Sequence, residues 1–138
     1  MRKLSKHLSK YLMVAATSLA ITAQAQNIKP GQYDYTATTE MFGMKIPINF
    51  KQCVTQKDVD SNNAYVNQKG NEGCTPPVVQ RDGSNIAIQY TCSSPKMTGV
   101  GKGVIQADSF SINMSVTQHD MGNNVIKTLV AAKRTGDC

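Results

Sequence analysis

Short runs in which apolar and polar residues alternate dominate the chain from residue 32 onward. The clearest runs span residues 32–37, 44–51, 86–91 and 110–117. Successive side chains of a β-strand point to opposite faces, so strict alternation collects the apolar side chains on one face. Each of these runs therefore predicts a strand with one apolar face.

Turn signals separate the runs and delimit further strands. They are Phe42-Gly43, Asp82-Gly83 and the segments at residues 107–109 and 120–124. Strands are also predicted near residues 78–79, 98–106 and 125–133. The pattern favours only one helix, a turn or two over residues 55–62 with Thr55 as its cap, and a polar loop over residues 62–73.

About seven strands with short connections predict an all-β fold, a single antiparallel meander. Because each strand has an apolar face, the sheet must curl on itself or have that face covered. We expect a curled or partly closed barrel, with a flatter two-layer sandwich as the alternative. Gly99, Gly101 and Gly103 leave one side of their strand bare, which suits a sharply curved sheet or a close backbone approach.

The first 25 residues have the organisation of a signal peptide. Four basic residues lie within the first ten positions, a charge-free and largely apolar stretch follows over residues 11–23, and Ala23-Gln24-Ala25 fits the small-x-small cleavage rule. The apolar stretch of about 13 residues is shorter than the roughly 20 that span a bilayer. We expect a signal peptide at residues 1–25, export to the periplasm, and a mature domain at residues 26–138.

The net charge depends strongly on this segment. The whole chain has 15 basic and 9 acidic residues, a net charge of +6, but removal of residues 1–25 leaves 11 basic residues and a net charge of +2. No basic stripe remains after that removal, which argues against nucleic-acid binding. No later stretch is long and apolar enough to predict a transmembrane segment.

Cys53, Cys74, Cys92 and Cys138 are the four cysteines of the chain. In a small exported domain they predict two disulfides, for which three connectivities exist. Cys74 and Cys92 each lie nine residues from Gly83, the centre of a hairpin turn, so they would meet across the hairpin and leave Cys53 to pair with Cys138. Each bond would contribute roughly 3–5 kcal/mol in the chain-entropy model. A redox pair or a zinc site would need closer cysteine spacings than these.

Several short motifs occur in an order that resembles a known family. They are Lys29-Pro30-Gly31-Gln32-Tyr33, Glu40-Met41-Phe42-Gly43-Met44, Gln52-Cys53-Val54-Thr55, Gly73-Cys74, Met97-Thr98-Gly99-Val100-Gly101 and Gly136-Asp137-Cys138. Together they are similar to the domain of unknown function 3617, a family of small exported bacterial proteins. The resemblance implies a periplasmic protein of a Gram-negative bacterium. That family has no established activity, so the resemblance transfers no catalytic residues.

The residues offer little for catalysis. His119 is the only histidine after residue 25, and no nucleophile-elbow motif accompanies it. The cysteines are expected to be oxidised, and most carboxylates lie at turns, where Asp bonds to the local backbone. We therefore expect neither an enzyme nor a cofactor.

Met41, Met44, His119 and Met121 form a candidate metal site. Thioether and imidazole ligands suit Cu(I), and copper handling often takes place outside the cytoplasm. The competing explanation is that methionine fills irregular gaps in a core that lacks Trp. These alternatives stay open at the level of the sequence.

The leading functional hypothesis is a non-enzymatic, monomeric binding or interaction module of the cell envelope, with a protein partner or a small apolar ligand. The first alternative is a carrier of a small lipophilic ligand in an incompletely filled interior, and the second is a Cu(I)-binding protein. Five aromatic side chains are predicted to point inward and favour a packed interior: Tyr33, Tyr35, Phe50, Tyr90 and Phe110.

Overall fold

A computed structural model describes residues 27–66 and 73–138. The predicted signal peptide at residues 1–25 lies outside these ranges. The elements are β1 (Gly31–Met41), β2 (Met44–Val54), α1 (Gln56–Asp60), β3 (Val78–Asp82), β4 (Asn85–Ser93), β5 (Lys96–Gln106), β6 (Ser109–Gln118), a single 3-10 turn (His119–Met121) and β7 (Asn124–Gly136). Within the described ranges, no helix has the length and apolar character needed to cross a membrane.

All seven strands belong to one antiparallel sheet with the order β2-β1-β7-β6-β5-β4-β3. Strands β3 to β7 form a continuous meander, and the β1–β2 hairpin adds to it where β1 pairs with β7. β2 and β3 are the two edge strands and do not pair with each other, so the sheet is not closed. The predicted all-β meander of about seven strands is confirmed, as an open sheet.

The two disulfides are those predicted from the sequence. Cys74 bonds to Cys92 at an isolated bridge beside β4, and Cys53 on β2 bonds to Cys138, the last residue of the chain. The second bond ties the end of β7 to the far side of the neighbouring hairpin. Arg134 strengthens this attachment because its Nε donates a hydrogen bond of 2.9 Å to the carbonyl of Pro30.

One face of the sheet carries the core, and we call it the inner face. Cross-strand pairing aligns its side chains in rows perpendicular to the strands. One row consists of Phe50, Tyr35, Ala132, Phe110 and Ile105. The next row consists of Ile48, Ala37, Val130, Ile112, Gly103 and Ile86. The predicted inward position of the aromatic residues is confirmed, with Phe50 only partly buried.

The glycines of β5 permit close packing on this face, as their spacing predicts. A Cβ at Gly99 would overlap the ring of Tyr90, and one at Gly101 would overlap the sulfur of Met114. At Gly103 a Cβ would lie 2.7 Å from the Cα of Ile112, so even a methyl group would push β5 away from β6.

Helix α1 has Thr55 as its N-cap, as predicted, and ends at Asp60, two residues before the predicted end. The Asp58 N–H donates to Thr55 Oγ1 at 3.2 Å, and the Thr55 N–H donates to Asp58 Oδ2 at 2.9 Å, which completes a capping box. The helix buries Val59 against the sheet. It also directs the following segment, residues 61–66, across the inner face.

Part of the predicted polar loop is therefore a component of the core. Ala64, Tyr65 and Val66 are all buried, although polar residues surround them in the sequence. The Tyr65 ring contacts the Phe110 ring edge to face, with centroids 5.2 Å apart, and Arg81 donates a hydrogen bond of 3.1 Å to the Tyr65 hydroxyl. The remainder of the loop, residues 67–72, lies outside the described residues.

Candidate functional site

The inner face of the sheet has two halves with different surroundings. In the covered half, Val59 of α1 and residues 64–66 are buried in one cluster with the side chains of Tyr33, Tyr35, Phe110 and Ile112. In the open half, the β1–β2 hairpin extends beyond that cover and presents Met41, Met44, Ile46 and Ile48 to solvent. The two halves meet in the row that contains both Ile112 and Ile48.

Two buried tyrosines anchor the covered half. The Tyr35 hydroxyl donates a hydrogen bond of 3.0 Å to the carbonyl of Ala64, which holds the covering segment on the sheet. The Tyr33 hydroxyl donates one of 2.6 Å to the carbonyl of Lys29. Burial raises the pKa of both phenols above the usual value of 10.0, because a phenolate would lose its hydration there. Both groups therefore remain hydrogen-bond donors at neutral pH.

In the open half, the apolar face of β2 is more exposed than the alternation of its residues predicts. The pattern of β2 predicts a strand with a buried apolar face, and its apolar residues do share the inner face. However, Met44 is 61% exposed and Ile48 is 57% exposed, and only Phe50 of this series packs against the core. β2 is an edge strand, and residues 61–66 cover the inner face only as far as Phe50.

A half-open pocket of about 380 Å³ lies between the two halves. The residues that line it are Tyr35, Ala37, Ile48, Phe50, Gln52, Asn63, Ala64, Tyr65, Val66, Tyr90, Met114, Val116, Thr128 and Val130. None of these described residues carries a charge. Gln52, Asn63 and Thr128 supply amide and hydroxyl groups to an otherwise apolar or aromatic surface. Burial raises the pKa of Tyr90, so this phenol also stays neutral.

Other depressions are as large but differ in chemistry. One of about 460 Å³ lies on the outer face and includes Lys102 with Gln80 and Gln89. Another, of about 490 Å³, includes Asp34 and Lys133. The first is also lined by Val78, Ala87 and Val100, so the difference from the inner-face pocket is the charged side chains that both of these depressions include. The inner-face pocket combines apolar character with contact to the core, which is typical of small-molecule sites.

The four residues of the predicted metal site occupy neighbouring turns at one end of the sheet. Met41 and Met44 are cross-strand partners at the end of the β1–β2 hairpin. His119 and Met121 lie in the 3-10 turn between β6 and β7. The His119 Nε2 is hydrogen-bonded to Thr98 Oγ1 at 2.9 Å.

The second ring nitrogen of His119 is also engaged, since Nδ1 lies 3.0 Å from the Asn123 side-chain oxygen. Copper ligation would have to break one of these two bonds. Among residues 27–66 and 73–138, no group of three or more His, Cys, Asp or Glu side chains is arranged to hold a metal ion. Copper binding through methionine sulfurs stays a prediction.

The sequence analysis missed the residues of the covering segment that line the pocket. Asn63, Ala64, Tyr65 and Val66 belong to the predicted polar loop. Their signal in the sequence is the apolar run Ala64-Tyr65-Val66, which is unusual between Asn-rich flanks. A run of three carries no periodicity, so it indicates burial without indicating which surface it covers.

Comparison with known proteins identifies one family. The sequence model of the family described as "Protein of unknown function (DUF3617)" matches residues 28–138. No curated protein and no solved structure matches the chain. The matched range includes all seven strands, α1 and both disulfides.

Proposed function

The chain belongs to the DUF3617 family, whose description assigns no function, and from this premise we propose that it is an exported, non-enzymatic binding protein that holds a small, uncharged lipophilic ligand on the inner face of its sheet. The observation that carries the proposal is the pocket of about 380 Å³ between the two halves of that face. Small-molecule sites typically measure about 300–1,000 Å³ and are largely apolar with a few polar groups.

The lining of the pocket defines the ligand class. An ionised group that entered it would lose hydration without meeting an opposite charge among the described lining residues, which costs several kcal/mol. Gln52, Asn63 and Thr128 offer hydrogen bonds to one or two neutral polar groups. The ligand is thus an alkyl or ring compound with a hydroxyl, carbonyl or ester group.

Export to the periplasm is part of the proposal. Two features support it: the signal-peptide pattern of residues 1–25 and the pairing of all four cysteines in disulfides. Disulfides persist in oxidising compartments such as the bacterial periplasm and are rare in the cytosol. A carrier of a poorly soluble compound has a role there, because the periplasm is an aqueous space between two membranes.

A fluorescence displacement experiment tests the ligand class. N-phenyl-1-naphthylamine, an uncharged dye that brightens in apolar surroundings, is added to protein purified from the periplasm. 1-Decanol and decanoate then compete for the site at pH 7. We expect decanol to displace the dye at a concentration more than tenfold lower than decanoate, because burial of the carboxylate costs more than about 1.4 kcal/mol.

Two matched variants locate the binding site. Ala37 lines the pocket between Ile48 and Val130, so Ala37→Phe should fill it and weaken dye binding at least tenfold. Ala131 lies on the outer face opposite Thr36, so Ala131→Phe adds the same ring elsewhere and should leave the affinity unchanged. Equal affinity of both variants, or equal displacement by decanol and decanoate, would refute the pocket as a neutral lipophilic site.

A further inference from the structure

The turn that connects β1 and β2, residues 41–44, presents a large aromatic side chain to solvent, and we call it the hairpin tip. Phe42 is 94% exposed at its apex, between Met41 and Met44. Phe42 and Gly43 have φ angles of 51° and 76°, as in a two-residue type I′ turn. A Cβ at Gly43 would meet no atom within 4 Å, so the tip projects into open space.

Phe42 is an unfavourable residue for this backbone conformation. Three non-glycine residues among those described have a positive φ angle, and the other two, Asn62 and Asn123, are asparagines. Asparagine tolerates the left-handed region through local hydrogen bonds, whereas a bulky aromatic residue there is strained. A residue that is both strained and almost fully exposed contributes nothing to packing. Residues that disagree in this way with their backbone conformation concentrate at functional positions.

A second turn at the same end of the sheet repeats this arrangement. β1 and β7 are antiparallel and Glu40 pairs with Lys127, so the hairpin tip and the start of β7 project in the same direction. Met121, in the turn before β7, is 66% exposed. A Cβ at the neighbouring Gly122 would again meet no atom within 4 Å. Phe42 and Met121 are thus two apolar points on separate protruding turns.

Basic side chains lie immediately behind these two points. Lys45 follows the hairpin tip, Lys127 lies on the adjacent part of β7, and Lys96 begins β5 at the same end. The acidic residues there are Glu40 and Asp120. Glu40 lies opposite Lys45 on β2 and opposite Lys127 on β7 in the strand register. Asp120 accepts a hydrogen bond of 2.9 Å from the Lys96 N–H. This end of the sheet therefore has a small excess of positive charge.

The opposite end of the sheet has a different character. Its turns, at residues 83–84 and 107–108, contain only Gly, Ser, Ala and Asp. Helix α1 adds Lys57, Asp58 and Asp60 at that end. Among the turns described, only those at the first end present exposed large apolar side chains. A surface that binds these side chains would therefore contact that end of the sheet.

We propose that the hairpin tip and Met121 insert into the surface of an anionic lipid bilayer, with the open half of the inner face directed towards the membrane. A protein partner would require a continuous contact of roughly 800 Å² per side, whereas the two turns are narrow and separate. Apolar side chains on protruding turns reach the acyl boundary, and the long side chains of the lysines behind them reach lipid phosphates. This interaction does not depend on a ligand in the pocket.

The absence of tryptophan makes direct observation possible. In Phe42→Trp the only indole of the protein lies at the hairpin tip, and in the control Val104→Trp it lies on the outer face of β5. Vesicles of phosphatidylcholine and phosphatidylglycerol in a 7:3 ratio are added to each variant. We expect a blue shift of the emission for Phe42→Trp and none for Val104→Trp. A shift in both variants or in neither would overturn the proposal.

Vesicle sedimentation then measures the contribution of the tip. Phe42→Asn combined with Met121→Ser should weaken vesicle binding at least tenfold, because both substitutions remove apolar side chains that the bilayer would bury. Val104→Thr, which trims an exposed residue of the outer face, should bind like the unchanged protein. Unchanged vesicle binding of the Phe42→Asn, Met121→Ser double variant would overturn the proposal.

Two further results separate this inference from its alternatives. Ala37→Phe should retain full vesicle binding, and Phe42→Asn should retain dye binding, so failure of one proposal leaves the other standing. A sedimentation-velocity series tests self-association through the same turns. If the protein forms a dimer in buffer and Phe42→Asn abolishes it, the partner of the hairpin tip is a second copy of this chain and the membrane proposal is overturned.

Discussion

Ile112 and Ile48 stand in one cross-strand row of the inner face, yet Ile112 is 0% exposed and Ile48 is 57% exposed. Both belong to strands with the same apolar alternation, and the same sheet holds both. The difference between them is what lies above. Ile112 belongs to the buried cluster that also contains Ala64, Tyr65 and Val66, whereas Ile48 faces the half-open pocket beside that segment.

This comparison separates two uses of apolar surface. In the covered half, apolar area is removed from water on folding, at roughly 25 cal/mol per Å², and that gain stabilises the domain. In the open half, the same kind of area remains hydrated, so its burial is available to a binding event. Contiguous exposed apolar surface on a small soluble domain is typically functional. The covered half thus stabilises the domain, and the open half is the part that we propose as the interaction surface.

The largest expected difference between the halves follows from removing the same atoms in each. Ile112→Ala should lower the free energy of unfolding by about 2–5 kcal/mol, because it leaves a cavity in the covered half. Ile48→Ala should change it by less than about 1 kcal/mol, because that side chain is mostly in water already. Urea unfolding of both variants under oxidising conditions measures the two values.

Similar losses for the two variants would show that Ile48 is buried in solution. The open half would then have a cover, and the proposed ligand site would lose its basis. A smaller loss of dye binding for Ile112→Ala than for Ile48→Ala would sharpen the comparison, because only Ile48 lines the pocket.

Much of the covered half is predictable from local sequence. Alternation assigns Tyr35 and Phe110 to one face, and a strand turned by one residue would bury polar neighbours instead. Equal spacing from Gly83 predicts the pairing of Cys74 with Cys92. Thr55, a good N-cap residue, predicts the start of α1. Each of these signals acts over a few residues or through a fixed period.

The open half is not predictable in this way, because exposure of an apolar face depends on distant parts of the chain. The alternation of Met44, Ile46 and Ile48 is the same whether or not another segment lies over them. Which part of the apolar face is buried depends on where Ala64-Tyr65-Val66 packs. The position of that run follows from α1, which precedes it, and not from the pattern of β2. The pocket is lined by residues 63–66 and by five strands of the sheet, so no single local pattern in the sequence predicts it.

A second test concerns the bond that holds the cover in place. Tyr35→Phe removes the hydrogen bond to the carbonyl of Ala64 and leaves that group without its partner, which should cost about 1–3 kcal/mol at pH 7. The effect should be accompanied by easier access of the dye to the inner face. Unfolding by urea and the dye titration measure both effects on one sample.

The same phenol makes stability depend on alkaline pH. Burial raises the pKa of Tyr35, so the folded protein retains this proton while the unfolded chain begins to lose it near pH 10.0. The folded state then binds more protons than the unfolded state, and the free energy of unfolding falls as the pH rises above that value. Below about pH 9 this contribution is constant. Tyr35→Phe should reduce the alkaline slope, and an unchanged slope would show that the phenol is not buried.

The smallest expected effect has the opposite sign and lies at the far end of the open half. Phe42→Asn places an Asn-Gly pair in a type I′ turn, where that pair is strongly preferred, and should raise the free energy of unfolding by about 1 kcal/mol. Gly83→Ala, at the turn of the opposite end, provides a contrast, because its φ of 59° is strained for alanine and should make the domain less stable.

A gain of stability together with a loss of vesicle binding in Phe42→Asn would mean that the turn gives up stability for contact with a membrane. A loss of stability would mean instead that the Phe42 ring packs against the sheet in solution. The Phe42 side chain would then cover part of the open half, and the hairpin tip would no longer differ from the covered half of the inner face.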